Sequence, residues 1–421
     1  MNFNNEFHNR RIVAVVIICL TSLAFGCQSG SDSSGDLTSI DMNQAFNLEK
    51  SVKLSDLVKS VEIVQFYPPE DTYFVNARSF AVGKKYIMIS DDRGGGTSNI
   101  ILCERSGKFV RNIGRVGKGP GEFLNAWLTI MDPSENYIII ADGPSNKLIK
   151  YSVSGEFISE RTMDELPDRN IFDKARFIND NEFILIPRRP TRGHDGFASM
   201  LVYDLDLNLS GKILPRANDE NLPLFNNSYQ VLGEGQDRIF YWEPYFDTLY
   251  TINADHSTEA THIIGWSKGG PSFDYMKTFT YNLPPDQQRP TNFIYSISET
   301  KKHLFIGGIA QKDRFSAVYS KKSEELFLLS DKAECDTSSY QSTSIVENDL
   351  FGIEPVSIRR FEQMAYRYVA WMRPGMIAFG NDLDCIRNKE VKLPEIRDQL
   401  LKIAESDDVD NNMVLLLMEA K

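Results

Sequence analysis

Two stretches of the chain repeat one phrase about fifty residues apart. The first is Tyr86-Ile-Met-Ile-Ser-Asp91, a gap, then Ile100-Ile-Leu-Cys-Glu-Arg-Ser-Gly-Lys-Phe-Val110. The second is Tyr137-Ile-Ile-Ile-Ala-Asp142, a gap, then Leu148-Ile-Lys-Tyr-Ser-Val-Ser-Gly-Glu-Phe-Ile158. Each copy has an apolar run ending in Asp, a loop, an alternating run, and a Ser-Gly turn that opens a third run. Alternation and β-branched content mark these runs as strands. Tyr86 and Tyr137 stand 51 residues apart, and Ser106 and Ser154 stand 48 apart. Self-similarity at that period is the signature of a propeller blade.

The phrase returns in worn form. Glu182-Phe-Ile-Leu-Ile186 precedes Met200-Leu-Val-Tyr-Asp204, and Arg238-Ile-Phe-Tyr241 precedes Thr248-Leu-Tyr-Thr-Ile252. His303-Leu-Phe-Ile306 precedes Ser316-Ala-Val-Tyr319, and Tyr368-Val-Ala-Trp371 is the last copy. Six copies and no long helical periodicity predict an all-β fold, a six-bladed β-propeller. A ring must pair its two ends or leave an edge open. Val61–Phe66 and Val414–Leu417, within an expected C-terminal strand over 413–419, are therefore expected in one sheet that closes the last blade. Leu393–Ala404 places Ile396, Leu400 and Ile403 on one helical face with Pro394 in the first turn, so a short helical insertion is expected in that blade.

Arg115-Val-Gly-Lys-Gly-Pro-Gly-Glu-Phe123, with the following strand, Asp142, Asn146 and Ser154-Gly-Glu-Phe157, resembles an NHL-type repeat. Leu54–Ile63, Tyr245-Phe-Asp-Thr-Leu-Tyr250 and Met413–Lys421 extend the likeness over about residues 50–421. The chain is similar to the NHL-like or TolB-like six-bladed propeller lipoproteins of Bacteroidota-type bacteria. That resemblance implies a fold and an envelope location, and little chemistry.

At the amino terminus, Arg10 and Arg11 precede the apolar run Ile12–Leu20, which is too short to cross a bilayer as a helix. Basic, apolar and small-residue zones in that order read as a signal peptide over residues 1–26. Its exit, Leu23-Ala-Phe-Gly-Cys27, resembles a bacterial lipobox, with Ala24 where Leu is usual. The resemblance implies lipidation at Cys27 and a membrane partner through that anchor. Residues 27–49 begin with a Gly/Ser-rich polar stretch and are expected to be a flexible tether, with the propeller over 50–421. The expected location is the cell envelope, at the outer membrane, facing the periplasm or the surface. A monomeric body is expected.

The net charge of −12 excludes a basic nucleic-acid footprint and a polybasic membrane patch. Beyond the signal and Cys27 there remain Cys103, Cys335 and Cys385, which permit one disulfide without saying which. The loop Gly114–Glu122 lacks the Gly-Lys-Ser/Thr entering a helix that a phosphate loop needs, so it reads as a turn between blades. Asp142, Asn146 and Asp247 fall at strand ends, where short polar side chains serve turns. Asp408, Asp410, Asn412 and Glu419 match four calcium-loop positions, but Met413 occupies the place of the required glycine. His194, His256, His262 and His303 lack ligand spacing. No cofactor is evident, and a divalent metal has no support from the sequence.

Loops joining the second and third strands of each blade should gather around the channel mouth. They contain Arg93; Arg188, Arg189 and Arg192; Trp242, Glu243 and Tyr245; Arg314; and Trp371 and Arg373. Arginine forks suit carboxylate or phosphate, and neighbouring aromatics suit ring faces. The expected function is binding of a ligand or partner, a glycan, an anionic small molecule or a protein, at this mouth without catalysis. The alternatives are a lyase or hydrolase with a metal-assisted site at the mouth, and a structural subunit of an envelope complex.

Overall fold

The computed structural model describes residues 37–67, 77–94, 97–126, 128–163, 172–187, 197–216, 231–235, 238–243, 246–270, 291–329, 335, 346–353, 362–364, 367–406 and 413–421. The strand Tyr137–Asp142 shows why the repeated phrase is apolar on consecutive residues. Ile138 and Ile140 enter one apolar cluster, whereas Ile139 and Ala141 enter another. A strand with both faces buried has no polar side to write into its sequence. The same division recurs at Ile87 and Ile89 against Met88, and at Ile184 and Ile186 against Phe183 and Leu185.

Among the described residues, strands of this kind assemble into six sheets, antiparallel but for one short parallel edge strand on each of two of them. In chain order, sheet A spans 77–113, sheet B 128–162, sheet C 172–216, sheet D 231–265 and sheet E 292–329. Within each, four strands follow one another as neighbours. Sheet F combines Glu362–Met364, Arg367–Met372 and Val414–Ala420 with the early strand Val58–Gln65. The first and last long strands of the described chain thus pair directly, Val414 opposite Gln65 through Met418 opposite Val61.

Each apolar cluster lies between two sheets. Met88, Ile138 and Ile149 join A to B; Ile139, Leu185 and Tyr203 join B to C; Ile184, Val202 and Tyr241 join C to D. Phe240, Trp242, Leu304 and Ile306 join D to E; Phe305, Val318, Val414 and Leu416 join E to F; Val64, Ile87, Leu415 and Leu417 join F to A. The order of sharing therefore returns to its start.

Part of the expected tether is folded. Thr38–Asp41 adds a parallel strand to the outer side of sheet D, and Glu49–Lys50 adds one to sheet E. Between them Met42–Asn47 forms a 3-10 turn whose N-cap Asp41 accepts from the Asn43 backbone N–H at 3.1 Å. This strap covers two outer sheet edges that would otherwise present unpaired backbone.

Three helices separate the last two strands of sheet F: Pro374–Gly380, Leu383–Asn388 and Pro394–Ala404. Leu400, Leu401 and Ile403 of the third are buried in the E–F core. A disulfide joins Cys335 in the E-to-F connection to Cys385 in the second helix, while Cys103 is free and buried. Burial pushes the Cys103 thiol up to about 12, which makes it unreactive.

Candidate functional site

In an up-and-down sheet the hairpin between strands two and three leaves from the same end as the connection to the next sheet. At that end of sheets D and E lies a cleft of about 420 Å³. Its walls come from the strap, Asn43 and Phe46, and from sheet E, chiefly Asn292, Gln311, Asp313, Arg314 and Phe315.

The sheet E wall is set by a two-residue hairpin in which Ala310 pairs with Asp313. Its turn residues Gln311 and Lys312 have φ of 52° and 87°, the left-handed pair that a tight hairpin demands and that glycine or asparagine usually supplies. The buried Asn292 steadies it: its Oδ1 accepts from Gln311 N–H at 3.3 Å, and its Nδ2 donates to the Lys268 carbonyl at 3.3 Å. Asp313 and Arg314 then emerge exposed, and their side chains have no hydrogen-bond or ion-pair partner among the described residues.

The strap wall is stitched to the D-to-E connection. Asn43 Oδ1 accepts from Ser267 Oγ and from Lys268 N–H, both at 3.0 Å, and Asp41 Oδ1 accepts from Ser267 N–H at 3.0 Å. Burial acts to raise the Asp41 carboxyl, but hydrogen bonds from Ser267 and Asn43 hold it below its ordinary value. Phe46, Trp266 and Phe315 pack together, with ring centroids 5.6 to 6.3 Å apart. Phe46 nonetheless stays 45% exposed. An aromatic ring fixed by two others, yet open to solvent, is a preformed contact surface.

A family model described as a domain of unknown function (DUF4934) matches residues 37–419. The chain belongs to that family. Among solved structures, this DUF4934 chain resembles a Bacteroides fragilis protein assigned to export, with a TM-score of 0.59 and 17% identity, over 91% of this chain and 99% of that one. A Bacteroides vulgatus member of the DUF4221 family gives 0.46 and 12%, over 88% and 99%. Virginiamycin B lyase from Staphylococcus aureus gives 0.30 and 13%, over 66% and 77%. No curated protein matches. At these identities the first likeness speaks to fold alone.

Of the residues singled out in the sequence of this DUF4934 chain, Arg314 lines the cleft. Trp242 is 2% exposed in the D–E core, its Nε1 donating to the Ile264 carbonyl at 3.2 Å. Glu243 is buried and accepts from Tyr241 Oη at 3.0 Å. Arg373 is exposed at the start of the first inserted helix. Arg93 and Trp371 lie on strands of sheets A and F, with side chains outside the described residues. Arg188, Arg189, Arg192, Tyr245, the anchor Cys27 and the acidic turn at Asp408–Asn412 fall outside the described residues altogether.

The glycine-rich loop runs from sheet A to sheet B, with φ of 63° at Gly114 and 70° at Gly121. Glu122 accepts from Gly119 N–H at 2.7 Å and pairs with Arg115 at 2.6 Å, so the loop satisfies itself. Asp142 accepts from Leu124 and Asn125 N–H at 2.7 and 3.2 Å, pinning that connection. Asn146 and Asp247 take left-handed φ of 54° and 53°. Among the described residues no three His, Cys, Asp or Glu side chains group as metal ligands, and no helix is long and apolar enough to cross a membrane.

Sequence reasoning missed Phe46, Asn43 and Asn292. Their roles depend on the strap docking beside sheet E, which no local pattern announces.

Proposed function

We propose that the chain is an exported, lipid-anchored envelope protein whose six sheets are the blades of a six-bladed β-propeller, and that it binds a small ligand on the hairpin face. The cyclic sharing of six apolar cores and the pairing of the two chain ends support the propeller reading. A signal-like segment and the lipobox-like Cys27 support export and anchoring at the outer membrane.

The observation that carries the binding role is the cleft whose wall holds Asp313 and Arg314, both unpaired among the described residues. Among the described residues neither polar head has a partner, so both remain available for a ligand. We propose that Arg373, exposed at the end of the corresponding strand of sheet F, extends the binding area.

A thermal-shift screen of the mature chain against sugars, amino acids, nucleotides and organic acids tests this. A ligand well above its Kd adds about 2 to 3 kcal/mol of stability. At least one class should raise the melting temperature, and Asp313→Asn or Arg314→Met should abolish the rise. Silence from every class, or a rise indifferent to both changes, defeats the reading. Replacing Cys27 with Ser should release the protein from membranes; retention after that change would count against the anchor.

A further inference from the structure

We infer that the cleft between sheets D and E receives a neutral pyranose unit of a glycan, stacked on Phe46 and held by Gln311, Asp313 and Arg314. This rests on the ligand-binding reading above and narrows it to one chemical class.

The polar groups left over after folding point that way. The oxygens of Asn43 and Asn292 are taken by the Ser267–Lys268 and Gln311 backbone or by hydroxyls, which leaves each amide with one N–H. The side chains of Gln311, Asp313 and Arg314 have no partner among the described residues. All three are planar, with two donors or acceptors side by side. Adjacent ring hydroxyls of a sugar, each both donor and acceptor, match such paired atoms in either sense. A compact anion needs donors only, and Asp313 would repel it.

Charge agrees. Arg314 and Asp313 contribute opposite unit charges, so the wall has no net charge, and a protein of net charge −12 supplies no long-range pull on an anion. The apolar contact is of the right kind too. The C–H face of a pyranose needs a flat apolar ring beside the polar groups, and Phe46 is such a ring, 45% exposed and backed by Phe315 and Trp266. A cleft of about 420 Å³ is near the lower end of the range for small-molecule sites, about 300 to 1,000 Å³. It suits one or two rings of a longer chain. Because Phe46 belongs to the strap, the strap forms part of the recognition surface.

The test is calorimetric titration of the mature chain with neutral tetrasaccharides of glucan, xylan and mannan types, a galacturonate oligomer, and inorganic phosphate. At least one neutral tetrasaccharide should bind. Phe46→Ala and Asp313→Ala should each weaken it at least tenfold, Phe46→Trp should retain it, and unchanged melting temperatures should show that the variants fold. Binding of galacturonate or phosphate alone, lost in Arg314→Met, would overturn the neutral-sugar inference and leave the ligand-binding reading standing. Neutral-sugar binding indifferent to both alanine changes would overturn the placement. Binding of none of these probes overturns the inference; only silence in the broader thermal-shift screen would also remove the reading beneath it.

Discussion

Glu182 draws its partners from two sheets. Ser210 Oγ donates at 2.7 Å and Asn179 Nδ2 at 3.0 Å within sheet C, while His256 Nε2 approaches to 3.0 Å from sheet D. The Ser210 and Asn179 hydrogen bonds outweigh desolvation and, with His256, bring the carboxyl down to about 2. A folded value below the ordinary 4.5 means that its stabilisation is present above about pH 4.5 and is lost as pH falls toward about 2. Glu182→Gln should flatten the acid side of a urea-midpoint profile across that window, and cost about 1 kcal/mol at neutral pH. Asp247 has the opposite sign. Burial pushes its carboxyl up to about 6 from 3.8, so the charged form weakens the fold above pH 6 and the penalty fades as pH falls to about 3.8. Asparagine tolerates its φ of 53°, so Asp247→Asn should raise the melting temperature at pH 8 and leave it unchanged below pH 4. The local role of Asp247 was legible, because Asp at a strand end serves a turn. The partnership of Glu182 was not, because His256 lies 74 residues away on another sheet.

At the scale of the element, the Gln311–Lys312 hairpin and the helical insertion show different limits. The hairpin folds tightly without glycine, and Lys312 at φ 87° bears a cost that glycine would avoid. Lys312→Gly should therefore stabilise the protein by about 1 kcal/mol in urea unfolding, since Lys312 is outside the cleft wall. A sequence without Asn-Gly or Asp-Gly hides such a turn. The helix Pro394–Ala404 was legible, since eleven residues give its apolar face room to repeat. Pro374–Gly380 and Leu383–Asn388, at seven and six residues, are too short to show a period. The disulfide partner was equally hidden: Cys335 and Cys385 are 50 residues apart and meet only because the insertion folds back on the connection. Closing a loop of that length is worth about 4 kcal/mol on the chain-entropy account. Reduction, or the double change to Ser, should lower stability by an amount of that order.

For the whole molecule, the six cores depend on one another in sequence. Each sheet lends one face to the core before it and one to the core after it, so loss of any sheet face exposes a neighbour. The repeated phrases in sheets A and B made the β architecture legible, because strands buried on both faces write unbroken apolar runs. The strap was not legible, because Thr38–Asp41 and Glu49–Lys50 carry few apolar residues and pair only through parallel backbone contacts. The two amino-terminal segments should therefore differ sharply in what their removal does. Val58–Gln65 covers Val414–Ala420 along its length, and Val64 and the adjoining Phe66 enter the F–A core beside Leu415 and Leu417. A chain starting at residue 67 leaves those leucines bare and interrupts the cycle of cores, so it should be recovered unfolded or aggregated. A chain starting at residue 51 keeps all six cores in contact and loses edge cover together with the buried Ile40, Met42 and Ala45 of the D–E core. It should unfold in one cooperative transition at a lower temperature. The bared edges of Thr258–Gly265 and Glu325–Leu329 should also make it self-associate at concentrations where the longer chain does not. Light scattering after size exclusion, with thermal unfolding of both truncations, reads this contrast. A chain starting at residue 67 that melts cooperatively at the parent temperature would show that the pairing of the two chain ends is not what holds the sheets together.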